Sequence, residues 1–359
     1  MTQSSRMRPE KESFGFTKEG RETFLYTFEN AAGMKICATD LGAALVSVFV
    51  PDKDGVLKDV VLGYDDAAGY ERGTQFLGAI VGRNANRIGK ARLFISGKEY
   101  LLDKNEGEHN LHSGFDPYNI RIWDVKETGS NSITFLLKSP GGDQGLPGNA
   151  KICVTYTLTE KNEICIDYLA VSDADTIFNL TNHSYFNLDG TREKPGMRIS
   201  DVLDHKVRIF ADKYTPTDEC SIPTGKIADV ENTPMDFRKA KRIGEEIDAG
   251  FIQLRNANGY DHNWAVNKKE GFRKAAWMHS EKTGISLTVF TDRPGIQFYT
   301  ANYLNDEPGK GGALYPKRSA ACFETQAFPD APNHKDFPAS IVKAKEEFRS
   351  RTVFSFEIE

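Results

Sequence analysis

The chain is expected to fold as an all-β protein, one large sandwich with few short helices. Three observations carry this expectation. Apolar and polar residues alternate with period two through much of the 359 residues, the spacing of a strand that buries one face. The alternating runs are separated by short polar turns of the hairpin type. Only one stretch, "KAKRIGEEIDAG" (239–250), invites a short helix.

In chain order, strands are expected at "ALVSVFVP" (44–51), "DVVLGY" (59–64), "ARLFISGKEYLL" (91–102, turning at Ser96-Gly97) and "SITFLLKS" (132–139). "AKICVTYTLTEKNEICIDYLAVS" (150–172) reads as two strands around a turn at Glu160 to Glu163. "KAAWMHSEKTGISLTVFTD" (274–292) repeats that scheme around Lys282 to Gly284. "GIQFYTAN" (295–302), "SAACFETQAF" (319–328) and "RTVFSFEIE" (351–359) complete the set. Length alone suggests about two domains, but no Pro/Ser-rich linker or charge block divides the chain. We therefore expect one domain over 15–359 and an N-terminal extension, 1–14, that is loose or adds an edge strand.

The formal net charge is −5, with Lys and Arg scattered among Asp and Glu. No basic stripe is available to follow phosphates, which argues against nucleic acid and anionic membrane as partners. The opening residues have no apolar signal core, and nowhere do about 18 apolar residues run together. Five cysteines, Cys37, Cys153, Cys165, Cys220 and Cys322, are an odd number, far apart and without a C-x-x-C pair. That usage fits reduced thiols in a cytoplasm, and it offers neither a disulfide framework nor a zinc site.

Function is expected on the polar-dense loops and strand ends. Five such segments hold five of the seven histidines: His109, His112, His183, His262 and His334. The densest is "NLTNHSYFNLDG" (179–190), with three asparagines around His183. It contains two N-x-S/T acceptor patterns, Asn179-Leu180-Thr181 and Asn182-His183-Ser184, which matter only in a secreted chain. His109, His262 and His334 read first as satisfied polar residues near turns. His112 and His183 are each followed by Ser and set among Gly or Asn, as residues held by backbone hydrogen bonds would be. A metal site at His109-x-x-His112 is disfavoured, because residues three apart on an extended chain point to opposite faces.

Glu324 lies in "ACFETQAF" among apolar neighbours. Burial there raises a carboxylate's pKa and suits it as a general base, while a nearby cation would lower it and make it an ion-pair partner. Arg87 and Asp261 read alone as surface ion-pair residues. On a strand through "CFETQ", positions 322, 324 and 326 share a face, so the Cys322 thiol should lie near Glu324. "EPGKGGALYPK" (307–317) lacks the order of a phosphate-binding loop and reads as a mobile loop.

"GRNANRIG", "NLHSG", "NHSYFNL", "GYDHN", "PGIQFYTAN" and "FETQ…PDAPN" stand in an order and spacing that resembles the galactose mutarotase (aldose 1-epimerase) family, from about Val61 to Phe356. The resemblance implies a large antiparallel β-sandwich that interconverts the α and β anomers of free aldoses, galactose or glucose for example, with no cofactor and no metal. It implies Glu324 as base, His183 as acid and His112 as a hydrogen-bonding partner. It also implies Asn86, Arg87, Asp261 and Gln297 as sugar-contacting residues. Asn84 and Tyr260 depart from the family pattern, and the N-terminal extension has no obvious counterpart. Three alternatives stay open: a glycoside hydrolase using Asp261 and Glu324, a non-catalytic carbohydrate-binding protein, and a mutarotase of hexose 6-phosphates. A monomer and a homodimer are both compatible with the sequence.

Overall fold

The computed structural model describes residues 9–267 and 271–359. Among these the chain forms thirty strands and two short α-helices, Ala67–Arg72 and Ile252–Ala257. Three antiparallel sheets dominate. The largest has nine strands in the order Asp124–Thr128, Ser132–Ser139, Ala150–Leu158, Glu163–Ser172, Glu347–Ile358, Ile285–Thr291, Arg273–His279, Lys206–Ile209 and Lys241–Arg242. The second has six: Tyr185–Phe186, Ala321–Gln326, Gly295–Tyr299, Asp261–Ala265, Lys213–Thr215 and Ala228–Asp229. The third has five: Glu10–Phe16, Glu22–Glu29, Lys35–Thr39, Leu45–Pro51 and Leu57–Asp59.

The alternation of each strand explains how these sheets stack. Ser132–Ser139 and Ala150–Leu158 bury every second residue, among them Ile133, Phe135, Ile152, Val154 and Tyr156. Those side chains meet the apolar face of the six-stranded sheet, whose Trp264, Ile296, Phe298 and Phe323 belong to the same core. Phe186 of the smaller sheet packs edge-on against Phe354 of the larger one, with ring centroids 4.9 Å apart. The five-stranded sheet joins through Tyr26 against Phe135 at 6.0 Å. Burying apolar faces in this way is the dominant favourable term, worth about 25 cal/mol per Å² removed from water.

Both expected hairpins form, with Leu158 opposite Ile164 and His279 opposite Ser286. Four expectations change or narrow. Of residues 1–14, expected to be loose or to add an edge strand, 10–14 begin an edge strand paired to Glu22–Glu29; residues 1–8 lie outside the described residues. In "DVVLGY" the ladder ends at Asp59, and beyond it Val61 makes only a single bridge to Phe186. The segment 239–250 is no α-helix. Its Ile243 and Gly244 amides donate to the carbonyls of His205 and Leu203, so tertiary partners take the groups a helix would use. The two real helices are six residues each, too short to show a period, although Asp66 caps the first through the Gly69 amide at 2.7 Å.

The fourth change concerns 307–317, which is not mobile. Glu307–Pro308 pairs with Leu314–Tyr315, and Lys310 between them is 1% exposed. Its ammonium donates to Asp59 Oδ2 (2.7 Å), the Val46 and Val61 carbonyls (2.8 Å each) and Ser47 Oγ (3.1 Å). Arg192 Nε also reaches Asp59 Oδ2, at 3.2 Å. Removing one partner of a buried pair strands the other charge, at a cost of about 3–5 kcal/mol. Asp59→Asn should therefore lose stability on that scale by chemical denaturation. Lys310→Met should lose less, because Arg192 still answers the Asp59 carboxylate.

Candidate active site

The register of the six-stranded sheet sorts side chains by chemistry. Asn263 stands opposite Gln297, Gln297 opposite Glu324, and both Asp261 and Cys322 opposite Tyr299. Cross-strand partners share a face, so Asp261, Asn263, Gln297, Tyr299, Cys322, Glu324 and Gln326 all project from the side opposite Trp264, Phe298 and Phe323. Tyr185, opposite Cys322, joins them. Over this polar face lies a cavity of 520 Å³, lined by Asn86, Arg87, His112, His183, Asp261 and Glu324 among others. Six of the seven expected site residues thus meet in one cavity. The seventh, Gln297, does not line it; it is 3% exposed and donates from behind to Asp261 Oδ1 at 2.7 Å.

The asparagine-rich segment holds His183 through the backbone. Asn182 Nδ2 donates to the Gly78 carbonyl (2.7 Å), and its Oδ1 accepts from the Ser184 amide (3.1 Å). Asn179 Oδ1 accepts from the Ala327 amide at 2.7 Å, and Asn187 Nδ2 bonds the Ser200 and Ser319 carbonyls. Asn179 and Asn182 are each 2% exposed, so neither acceptor pattern is presented for glycosylation. The His183 main chain exchanges hydrogen bonds with Gly78 (3.0 Å) and Ala79 (2.9 Å). Its ring stacks on Tyr185 at 5.0 Å.

Glu324 and His183 form the floor. Glu324 Oε1 is 3.6 Å from His183 Nε2, and Glu324 Oε2 has no hydrogen-bond partner among the described residues. Burial, then the Asp261 charge, push the Glu324 carboxyl well above the usual carboxylate range, against the weaker pull of Arg87. Burial lowers His183 to about 4. The contest at Glu324 is thus decided for the raised value. On the other side of the imidazole, Cys322 Sγ lies 3.7 Å from Nδ1, on the Glu324 side of its strand as the alternation implies. Burial raises that thiol's pKa as well, so it stays protonated and inert.

His112 completes the group. Its Nδ1 accepts the Asn86 amide at 3.2 Å, and its own amide donates to the Asn86 carbonyl at 3.1 Å. Ser113 Oγ accepts the Asn84 amide (2.8 Å) and donates to the Asn84 carbonyl (3.0 Å), clamping the loops together. Burial, His183 and Arg87 hold His112 well below its ordinary value. A neutral imidazole whose Nδ1 accepts must carry its proton on Nε2, so His112 is a hydrogen-bond donor. Ligand atoms of His112, His183 and Glu324 lie within 4.8 Å of one another, a spacing open to a metal ion. The donor set fits one poorly, because a cation at His112 Nε2 would have to displace that proton.

Arg87 is fixed by Glu106, with Nε to Oε2 at 2.7 Å and a second bond to Oε1 at 2.9 Å; its remaining nitrogen is 3.7 Å from Asp261. Sequence reasoning missed Glu106 and the aromatic lining of Phe76, Tyr185, Tyr299 and Tyr303. Tyr185 lies inside the "NHSYF" motif, which was a usable signal. His109 reaches the rim, while His262 and His334 do not line the cavity.

These features define the class: a mutarotase-like β-sandwich with a buried imidazole–carboxylate pair at the floor of an open cleft. The family model described as aldose 1-epimerase matches residues 25–355. Galactose mutarotase of Rattus norvegicus is 40% identical over 318 residues, 88% of this chain and 89% of the relative. Aldose 1-epimerase of Haemophilus influenzae is 40% identical over 342 residues, 94% and 97% of the two chains. A solved aldose epimerase homologue from C. elegans superimposes with a TM-score of 0.86 at 32% identity, covering 94% of this chain and 99% of that one. The chain belongs to the aldose 1-epimerase family.

A buried carboxylate with an unpartnered oxygen costs stability. Glu324→Gln should therefore stabilise the protein by about 1–2 kcal/mol at neutral pH. The sign with pH follows from the raised value. Above about 4.3 the unfolded chain ionises first, so wild-type stability falls as pH climbs toward the folded carboxyl's pKa. The advantage of the Gln variant should widen over that window in denaturation curves, and a constant difference would contradict it.

Proposed function

We propose that the protein interconverts the α and β anomers of free aldohexoses such as galactose and glucose by acid–base opening and closing of the sugar ring. Membership of the family supports this reading, and the single observation that carries it is the Glu324–His183 pair, 3.6 Å apart and buried at the floor of the cavity. Glu324 takes the proton of the C1 hydroxyl. As the C1–O5 bond breaks, its electrons go to the ring oxygen, which takes a proton from His183 Nε2. The aldehyde turns about C1–C2. On closure His183 takes back the hydroxyl proton and Glu324 returns its own to the carbonyl oxygen, which restores both groups.

The pair needs one shared proton. In the tautomer that carries its hydrogen on Nδ1, beside Cys322 Sγ, Nε2 is free to gain and lose it. Carboxylic acid plus neutral imidazole, and carboxylate plus imidazolium, hold the same number of protons, so the raised Glu324 and lowered His183 of the free protein are compatible with the charged pair during reaction. His112 Nε2–H donates to the sugar. Arg87 and Asp261 orient hydroxyls alongside Asn86, and Gln297 steadies Asp261. Each acid–base group is worth about 10²- to 10⁴-fold. The dispersed, unpaired cysteines support a cytoplasmic enzyme.

Free hexoses are favoured over hexose 6-phosphates by the charge of the lining: Glu106, Glu108, Glu219 and Asp261 against Arg87, itself paired to Glu106. A glycosidase would need Asp261 as acid or nucleophile, whereas its carboxylate is engaged by Gln297 and Arg87. A sugar-binding protein gains nothing from an unpartnered buried carboxylate.

Polarimetry on fresh α-galactose and α-glucose should show faster relaxation with the protein, and glucose 6-phosphate little change. Glu324→Gln and His183→Asn should each lose at least about 10² in kcat with sugar binding largely kept. The pH profile should be bell-shaped. Its acid limb, near 4, marks a second proton reaching the pair through His183, and its alkaline limb marks loss of the shared proton, both apparent values belonging to the pair. Sugar binding without faster relaxation would overturn the proposal in favour of a binding protein.

A further inference from the structure

The Phe76 ring lines the cavity beside both histidines, while its own backbone is held in a left-handed conformation. Its φ is +56°, uncommon for a bulky residue and a form that persists only where surrounding structure enforces it. The enforcement is visible. The Phe76 carbonyl accepts the Ala79 amide at 3.0 Å, the Gly78 carbonyl accepts the Leu45 amide at 2.9 Å, and Gly78 and Ala79 carry the hydrogen bonds to His183 already described. Gly78 itself has φ +67°, and a Cβ there would meet the Leu45 carbonyl oxygen at 2.1 Å. The loop that fixes the His183 backbone therefore also fixes the Phe76 ring. That ring lies 4.8 Å from His112, and 6.2 Å from His183 in a stacked orientation, with planes at 26°. Tyr185 stacks on His183 as well, at 5.0 Å.

We propose that Phe76 is a positioning residue of the acid–base chemistry: its ring covers the two imidazoles, fixes their planes and keeps water from the nitrogen that exchanges the proton. The inference rests on the proposed mutarotase reaction. It assigns Phe76 no bond to the reacting atoms; the residue acts through His112 and His183. The other titratable groups around His183 are Glu324 and Cys322 from strand Ala321–Gln326, Tyr299 from Gly295–Tyr299, Asp261 from Asp261–Ala265, His112, and Tyr185 on its own segment. None of these is removed by changing Phe76, so a change in His183 titration reports the cover.

The test uses Phe76→Gly, which deletes the ring and suits the left-handed backbone, Phe76→Ala, and Phe76→Tyr as the conservative rescue. Thermal melts establish that each folds. In Phe76→Gly, water reaching the imidazoles should raise His183 from about 4 toward its ordinary value of about 6.5, read by NMR titration of the ring without reference to turnover. The acid limb of the pH profile should move up with it. Turnover should fall about tenfold or more, with a smaller change in KM for galactose, and Phe76→Tyr should restore both. If the ring-deleted proteins keep wild-type turnover and an unmoved His183 titration, the proposal is overturned. A turnover loss that tracks lost folding with no change in titration would overturn it equally, by making Phe76 merely structural. Absence of mutarotation in the wild-type protein would count against the reaction itself, while the NMR titration would still decide the role of the ring.

Discussion

The site depends on the cross-strand register that sets Asp261, Gln297, Tyr299, Cys322 and Glu324 on one face of the six-stranded sheet. Because side chains alternate strictly, the same register sends Trp264, Phe298 and Phe323 into the core on the other face. Core and cleft are two readings of one hydrogen-bond ladder. Position is therefore precise where chemistry needs it, since Glu324 stands on a strand buried at every residue, not on a loop.

That precision sets the electrostatics. A fully buried strand denies Glu324 water, and among the described residues no arginine is hydrogen-bonded to it; Arg87, which pulls on it only weakly, is taken by Glu106. The carboxyl is left dry and facing an imidazole that is equally dry, so desolvation drives the two pKa values in opposite directions. Neither group is stabilised as an ion, which is the condition the proposed proton exchange requires. The surrounding polar network, from Gln326 through Gln297 to Asp261 and Arg87, holds geometry without removing that condition.

Much of this was legible in the sequence, and the limits have physical causes. Period-two alternation placed Cys322 beside Glu324 because strand geometry leaves no choice of face. The family resemblance implied Gln297 as a sugar contact but gave no depth, since an amide's reach depends on which neighbour captures it, here Asp261. The helix expected at 239–250 failed because long-range carbonyls at Leu203 and His205 claimed its amides, information that no local window contains. Lys310 looked like part of a glycine-rich loop; only the fold brings four acceptors to its ammonium. Phe76 left no local trace, because its significance is a backbone angle and two rings distant in sequence.

The rims of the large sheets have a consequence of another kind. Asp124–Thr128, the outer strand of the nine-stranded sheet, is short and exposes Asp124, Lys126 and Glu127, with a register shift between Val125 and Glu127. The opposite rim, Lys241–Arg242, and both rims of the six-stranded sheet are two residues long. An approaching strand finds little ladder to extend, and at the longest of these rims it meets charge and a kink. The longest edge, Glu10–Phe16 of the five-stranded sheet, exposes Glu10, Lys11 and Glu12 and shifts register between Ser13 and Gly15. Each described edge of these three sheets is thus short, charged or kinked, and a poor template for a strand of another copy.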